Sequence, residues 1–88
     1  MTVAAIFVLD VPEFRNIIDH SQGRDDLRVV DAGMGYCRIE SDGDLTFNRR
    51  DLGFKPAIWY SVFSGGICGK IAEFGRDDVV ITDDATSE

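Results

Sequence analysis

The sequence is poor in the residues that mark most small chemical sites. It has one histidine and two cysteines in 88 residues. A structural zinc site needs four ligands, usually in close pairs. His20, Cys37 and Cys68 stand far apart, so no metal is expected. Asp42-Gly43-Asp44 offers too few alternating oxygens for a calcium loop. Two cysteines are also too few for the disulfide framework of a small secreted domain. Both sit in apolar strand patterns, where a reduced cysteine acts as a small hydrophobe.

Positive charge is scarce too. Nine Lys and Arg against sixteen Asp and Glu leave a net charge of −7, which argues against a surface that grips phosphate. Arg49-Arg50 is the only basic doublet, far short of a nucleic-acid footprint. Long apolar runs are missing as well. The best, residues 3–9, falls well below the roughly 20 residues that cross a bilayer. No basic residue precedes it and no small-residue cleavage site closes it, so neither a membrane anchor nor a secretory signal is expected. The location expected from these absences is the cytoplasm, and no nucleic acid, membrane or cofactor is expected as a partner.

What is there describes a small globular unit. The hydrophobic fraction is 44% and the charged fraction 28%, close to globular averages. A chain of this size hides only about 60% of the surface it exposes when unfolded, so its stability is marginal or shared with a partner. No linker or repeat divides it. Residues 1–82 read as one domain and 83–88, Asp83-Asp84-Ala85-Thr86-Ser87-Glu88, as a solvated acidic tail.

Residues 3–9 are apolar and rich in β-branched types, the pattern of a strand covered on both faces. A helix over about 11–21 follows. Asp10 is placed to cap it, with Glu13 three residues on completing a capping box and Pro12 in the first turn. Val11, Phe14, Ile17 and Ile18 share one helical face, Glu13, Arg15, Asn16 and Asp19 the other, and Gly23 is the stop. Short strands come next: 27–30, then 36–40 and 44–48 as a hairpin across Asp42-Gly43, with Cys37 and Ile39, and Leu45 and Phe47, inward. Residues 56–64 carry two signals. Pro56 and Ser64-Gly65-Gly66 bracket a short helix, whereas the aromatic and β-branched content suits a strand; the brackets favour the helix. A last hairpin joins 69–74 to 78–82, with Ile71, Val79 and Ile81 inward. The expected class is α+β: a mostly antiparallel sheet of five to six short strands with the 11–21 helix on one face. The first strand has the option of running parallel to a neighbour through that helix.

No stretch spells out a reaction. Gly65-Gly66-Ile67-Cys68-Gly69-Lys70 departs from the phosphate-binding loop pattern, with Ser64 where its first glycine belongs and Ile71 where Ser or Thr should follow Lys70. His20 has Asp19 beside it, but neighbours in a helix point apart, and a histidine near a helix end interacts with the last carbonyls. The aromatic group Phe54, Trp59, Tyr60 and Phe63 is the most informative feature. If helical, Trp59 and Phe63 share a face and Tyr60 lies about 100° round from Trp59, so rings emerge on more than one side. Trp and Tyr dominate interface hot spots. The leading expectation is therefore a small acidic protein that works by binding, as a homodimer or on a larger protein, through Phe54, Trp59, Tyr60 and Phe63. A second is a small enzyme or small-molecule-binding domain with a pocket between the 11–21 helix and the sheet, lined by Asp10, His20, Tyr36 or Trp59. A third and weaker one is an acidic decoy for a basic groove.

Overall fold

The computed structural model describes residues 4–82; the start of the first strand at residue 3 and the tail 83–88 lie outside the described residues. The first apolar run forms β1 (Ala4–Leu9), where Ala4, Ala5, Ile6 and Val8 are all fully buried. Burial without alternation reflects its position: β1 is an inner strand, covered on both faces.

The chain then makes a single 3-10 turn, Pro12–Phe14, leading directly into α1 (Arg15–Gln22). Ile17, Ile18 and Ser21 face the core while Glu13, Arg15, Asn16 and Asp19 are exposed. The expected capping box is not made. Val11, not Asp10, holds the extended N-cap conformation, with no side-chain cap. Asp10 sits one residue too early and instead accepts from Arg15 Nη1 at 2.9 Å.

β2 (Leu27–Gly33) and β3 (Tyr36–Ser41) form an antiparallel hairpin whose loop is Met34-Gly35. Met34 and Gly35 both take positive φ, 58° and 83°, the turn geometry that matches the twist of two-residue hairpins. β3 also pairs antiparallel with β1, matching Ile39 to Ile6. The strand order is β2-β3-β1-β5, where β5 is the two-residue strand Ile67–Cys68. β1 and β2 therefore run parallel but are not neighbours, because β3 is inserted between them. This is a β-α-β unit split by the strand of its own hairpin.

The second sheet contains β4 (Leu45–Asn48), β6 (Lys70–Phe74) and β7 (Asp78–Thr82), in the order β4-β7-β6. The described residues form seven strands, all paired antiparallel, one more than the upper expectation. The hairpin expected across Asp42-Gly43 is absent: β3 pairs in the first sheet and β4 with β7 in the second. The physical reason is that these distant pairings outweigh the turn signal, and the local geometry follows them. Gly43 does not adopt positive φ, its N–H is taken by Ser41 Oγ at 3.2 Å, and residues 42–44 carry the chain between sheets. The last hairpin does form, β6 to β7.

Between β4 and β6 lie two helical segments. The four-residue turn α2 (Arg49–Leu52) was not signalled by periodicity; Asn48 caps it, accepting from the N–H groups of Arg50 and Asp51. Gly53 ends it in the left-handed region at φ 71°. α3 (Pro56–Val62) begins at its proline and runs into a 3-10 turn, Phe63–Gly65, so the helical reading of 56–64 holds. One cluster of buried side chains joins both sheets, including Ile6, Ile17, Ile39, Leu45, Trp59, Val62 and Ile81. No helix among the described residues is long and apolar enough to cross a membrane.

Candidate functional site

The aromatic group divides between inside and outside. Trp59 is fully buried, and Phe54 and Phe63 are 5% exposed. The indole N–H of Trp59 donates to the Gly75 carbonyl at 2.9 Å, tying α3 to the β6–β7 turn. Phe63 meets Trp59 edge-on at 5.0 Å between centroids, a favoured aromatic geometry. These three rings form part of the core. Tyr60, on the other side of α3, is 50% exposed.

Tyr60 does not stand alone outside. Its ring lies 5.5 Å from that of Phe74, and Phe74 packs edge-on against both Phe63 and Trp59. Phe74 remains 39% exposed, and Ile71 on the same strand 49%. Pairing explains why apolar side chains on the inner side of a sheet stay wet. Ile71 is matched to Ile81 and Phe74 to Val79; directly opposed residues share a face, and Ile81 and Val79 are buried. β6, however, is the last strand of its sheet, and all five of its residues are exposed. Its outer edge pairs with no strand among the described residues. A register shift between Ile71 and Glu73 leaves Ala72 as a bulge, so Lys70 and Glu73 both lie on the outer face, opposite Thr82 and Val80.

The site is thus an apolar lip of Tyr60, Phe74 and Ile71 on a core-packed base, running along an open strand edge. Tyr60 was in the expected set; Phe74 and Ile71 were not. The signal for Phe74 was its place as the last strand residue before the turn at Gly75, but it falls outside the aromatic run, and only the strand order reveals the open edge.

The pocket expected between the 11–21 helix and the sheet is not found there. Beneath α1 the space is filled: Ile17, Ile18 and Ser21 are all buried. An open groove of about 450 Å³ lies instead beside α1, at the tip of the β2–β3 hairpin, with Asp10, Arg15, Asp31, Tyr36 and Cys37 among its lining. Burial, with Asp10 and Asp31 nearby, pushes the Cys37 thiol above its ordinary pKa, a shift away from the thiolate that nucleophilic chemistry needs. His20 is elsewhere, on a separate depression of about 530 Å³ with Arg24 and Asn48, and Trp59 reaches neither. Of the four residues expected to line one pocket, Asp10 and Tyr36 are brought together, whereas His20 and Trp59 are not. Cys37 and Cys68 are both free thiols. Cys37 pairs with Val8 and Cys68 with Ala5, on opposite edges of β1, so a whole strand separates them and a disulfide between them is out of reach.

Many carboxylates are already engaged within the chain. Arg15 holds Asp10 and Asp19, Arg24 holds Asp26, Arg28 holds Glu40 and Asp42, and Arg49 holds Asp77. Among the described residues no three metal-ligating side chains gather. Comparison of the chain with protein-family models gives no match, and no curated protein matches it significantly.

Proposed function

We propose that this is a small acidic cytoplasmic protein that acts by binding, as a homodimer, through the lip of Tyr60, Phe74 and Ile71. One observation carries the reading: three large apolar side chains, each between 39% and 50% exposed, lie against one another or along the same open strand edge. A contiguous exposed apolar patch on so small a body marks a contact surface, and tyrosine and phenylalanine are among the aromatics enriched at the cores of protein interfaces. Trp59 and Phe63 support the lip from within, so it is presented on a rigid base. Cytoplasmic placement draws support from the free thiols, separated by a strand.

The acidic-decoy reading has less support, because arginines of the same chain neutralise many of the carboxylates that would face a basic groove. The small-molecule reading keeps the groove beside Asp10 and Tyr36, but among the described residues no unpartnered buried polar group lines it.

The test is native mass. Sedimentation at micromolar concentration should give about twice the 9.7 kDa of the single chain. Tyr60→Glu, at a half-exposed position, should shift the species to monomer with little change in melting temperature. A wild-type chain that sediments as a monomer throughout that range would sink the homodimer.

A further inference from the structure

The edge of β6 carries more information than its apolar character. Read along the strand, Lys70-Ile71-Ala72-Glu73-Phe74 places a cation and a carboxylate three residues apart. In a regular strand these would face opposite sides. The bulge at Ala72 brings both to the outer face, opposite Thr82 and Val80. It equally leaves Ile71 and Phe74 together on the inner face. The edge is therefore patterned on both faces: charge of both signs outside, apolar groups inside.

Such a pattern is complementary to itself when reversed. We infer that β6 pairs antiparallel with β6 of a second copy about a two-fold axis, in the register that sets Lys70 opposite the partner subunit's Glu73. The axis passes between Ile71 and Ala72. Symmetry makes the ion pair twice, once on each side of the axis. On the inner face the two Ile71 side chains flank the axis, with Phe74 and Tyr60 of each copy beyond them. The result is one six-stranded antiparallel sheet, β4-β7-β6 followed by its symmetry mate. The unpaired N–H and C=O groups of the edge then find partners, which is how exposed edges are commonly completed.

The charges also select the register. A slip of one residue places Lys70 opposite the partner subunit's Phe74 and leaves both charges without an opposite. Parallel pairing in register would stack Lys70 on the partner subunit's Lys70 and Glu73 on the partner subunit's Glu73, which is repulsive. Neither Lys70 nor Glu73 is engaged in an ion pair within the described chain.

This inference rests on the homodimer reading, and a charge-reversal cycle separates the two. K70E and E73K each turn two attractive cross-strand pairs into two repulsive ones and should raise the dimer dissociation constant by about ten- to thirtyfold. The K70E/E73K double variant restores opposite charges across the axis and should return to within about threefold of wild type by the same reckoning. Amide exchange along β6 in the wild-type protein should slow as concentration rises, a readout that requires no variant. A dimer whose dissociation constant is unmoved by either reversal, with β6 amides exchanging at a concentration-independent rate, overturns the pairing but leaves a homodimer through another surface. A wild-type chain that stays monomeric removes both.

Discussion

Trp59 shows how a residue that would be a contact elsewhere becomes a fastener in so small a protein. Its ring is fully buried among Phe63 and Phe74, and its one polar atom is satisfied by the Gly75 carbonyl. The hydrogen bond spans from α3 to the turn between β6 and β7, so one side chain fixes the distance between the helix and the sheet edge. Trp59→Phe deletes the donor and leaves that carbonyl unpaired, at a cost of about 1–3 kcal/mol, with a further penalty for the smaller ring. Trp59→Ala should cost about 3–5 kcal/mol. Urea unfolding measures both, and a Trp59→Phe variant as stable as wild type would show that the indole N–H contributes nothing. Arg49 is a comparable tie. Its guanidinium donates to Asp77 Oδ1 at 2.8 and 3.0 Å, to the Arg76 carbonyl at 3.1 Å and to the Phe54 carbonyl at 2.9 Å. In the sequence this residue reads as half of a basic doublet, because what distinguishes it from Arg50 is a set of partners between 5 and 28 residues away.

At the scale of elements, what could be read from the chain was what is decided locally. The helix after β1 follows from the spacing of Val11, Phe14, Ile17 and Ile18, α3 from Pro56 at its start, and the β6–β7 hairpin from the Gly75-Arg76-Asp77 break. Misreadings occur where distant pairing overrules a local signal. Asp42-Gly43 has the composition of a hairpin turn, yet Leu45 and Phe47 gain more by joining β7, opposite Ile81 and Val79, than by folding back on β3. β3 is already sandwiched between β1 and β2. β5 and α2 are too short to show a period at all. The candidate site suffers the same limit: that Tyr60 faces outward follows from helical geometry, but that it meets Phe74 depends on β6 being terminal in its sheet.

The two kinds of glycine in these elements give a direct test. Gly69 lies between β5 and β6 at φ 122°, and a methyl group there would overlap the Thr82 carbonyl. Gly43 has ordinary φ and open space around its Cα. Gly69→Ala should therefore destabilise by about 1–3 kcal/mol through strain alone. Gly43→Ala should be neutral, or stabilise by up to about 1 kcal/mol by restricting the unfolded chain. If Asp42-Gly43 were instead a hairpin turn with positive φ, Gly43→Ala would be the damaging change. Thermal melts of the two variants separate these outcomes by sign.

On the scale of the whole molecule, two antiparallel sheets share one core, and the surface around them is held by arginine–carboxylate pairs on a chain of net charge −7. That arrangement sets how the fold responds to acid. The Arg24 guanidinium, mainly through its hydrogen bonds, holds Asp26 below the usual carboxylate range, and Arg28 does the same for Asp42. Because both folded pKa values are depressed, each carboxylate stabilises the fold at pH above its unfolded value of about 3.9. That contribution is lost as pH falls through the lower folded value. Both groups are exposed, so solvent and salt screen the effect, and it should shrink as ionic strength rises. The melting temperature should thus hold nearly level from neutral pH to about 5 and then decline below about 4. An Asp26→Asn/Asp42→Asn variant should start lower at neutral pH and decline less steeply in acid, so that the two curves converge. Curves that stay parallel down to the acid limit would mean these pairs are decoration on a surface whose acid response comes from elsewhere.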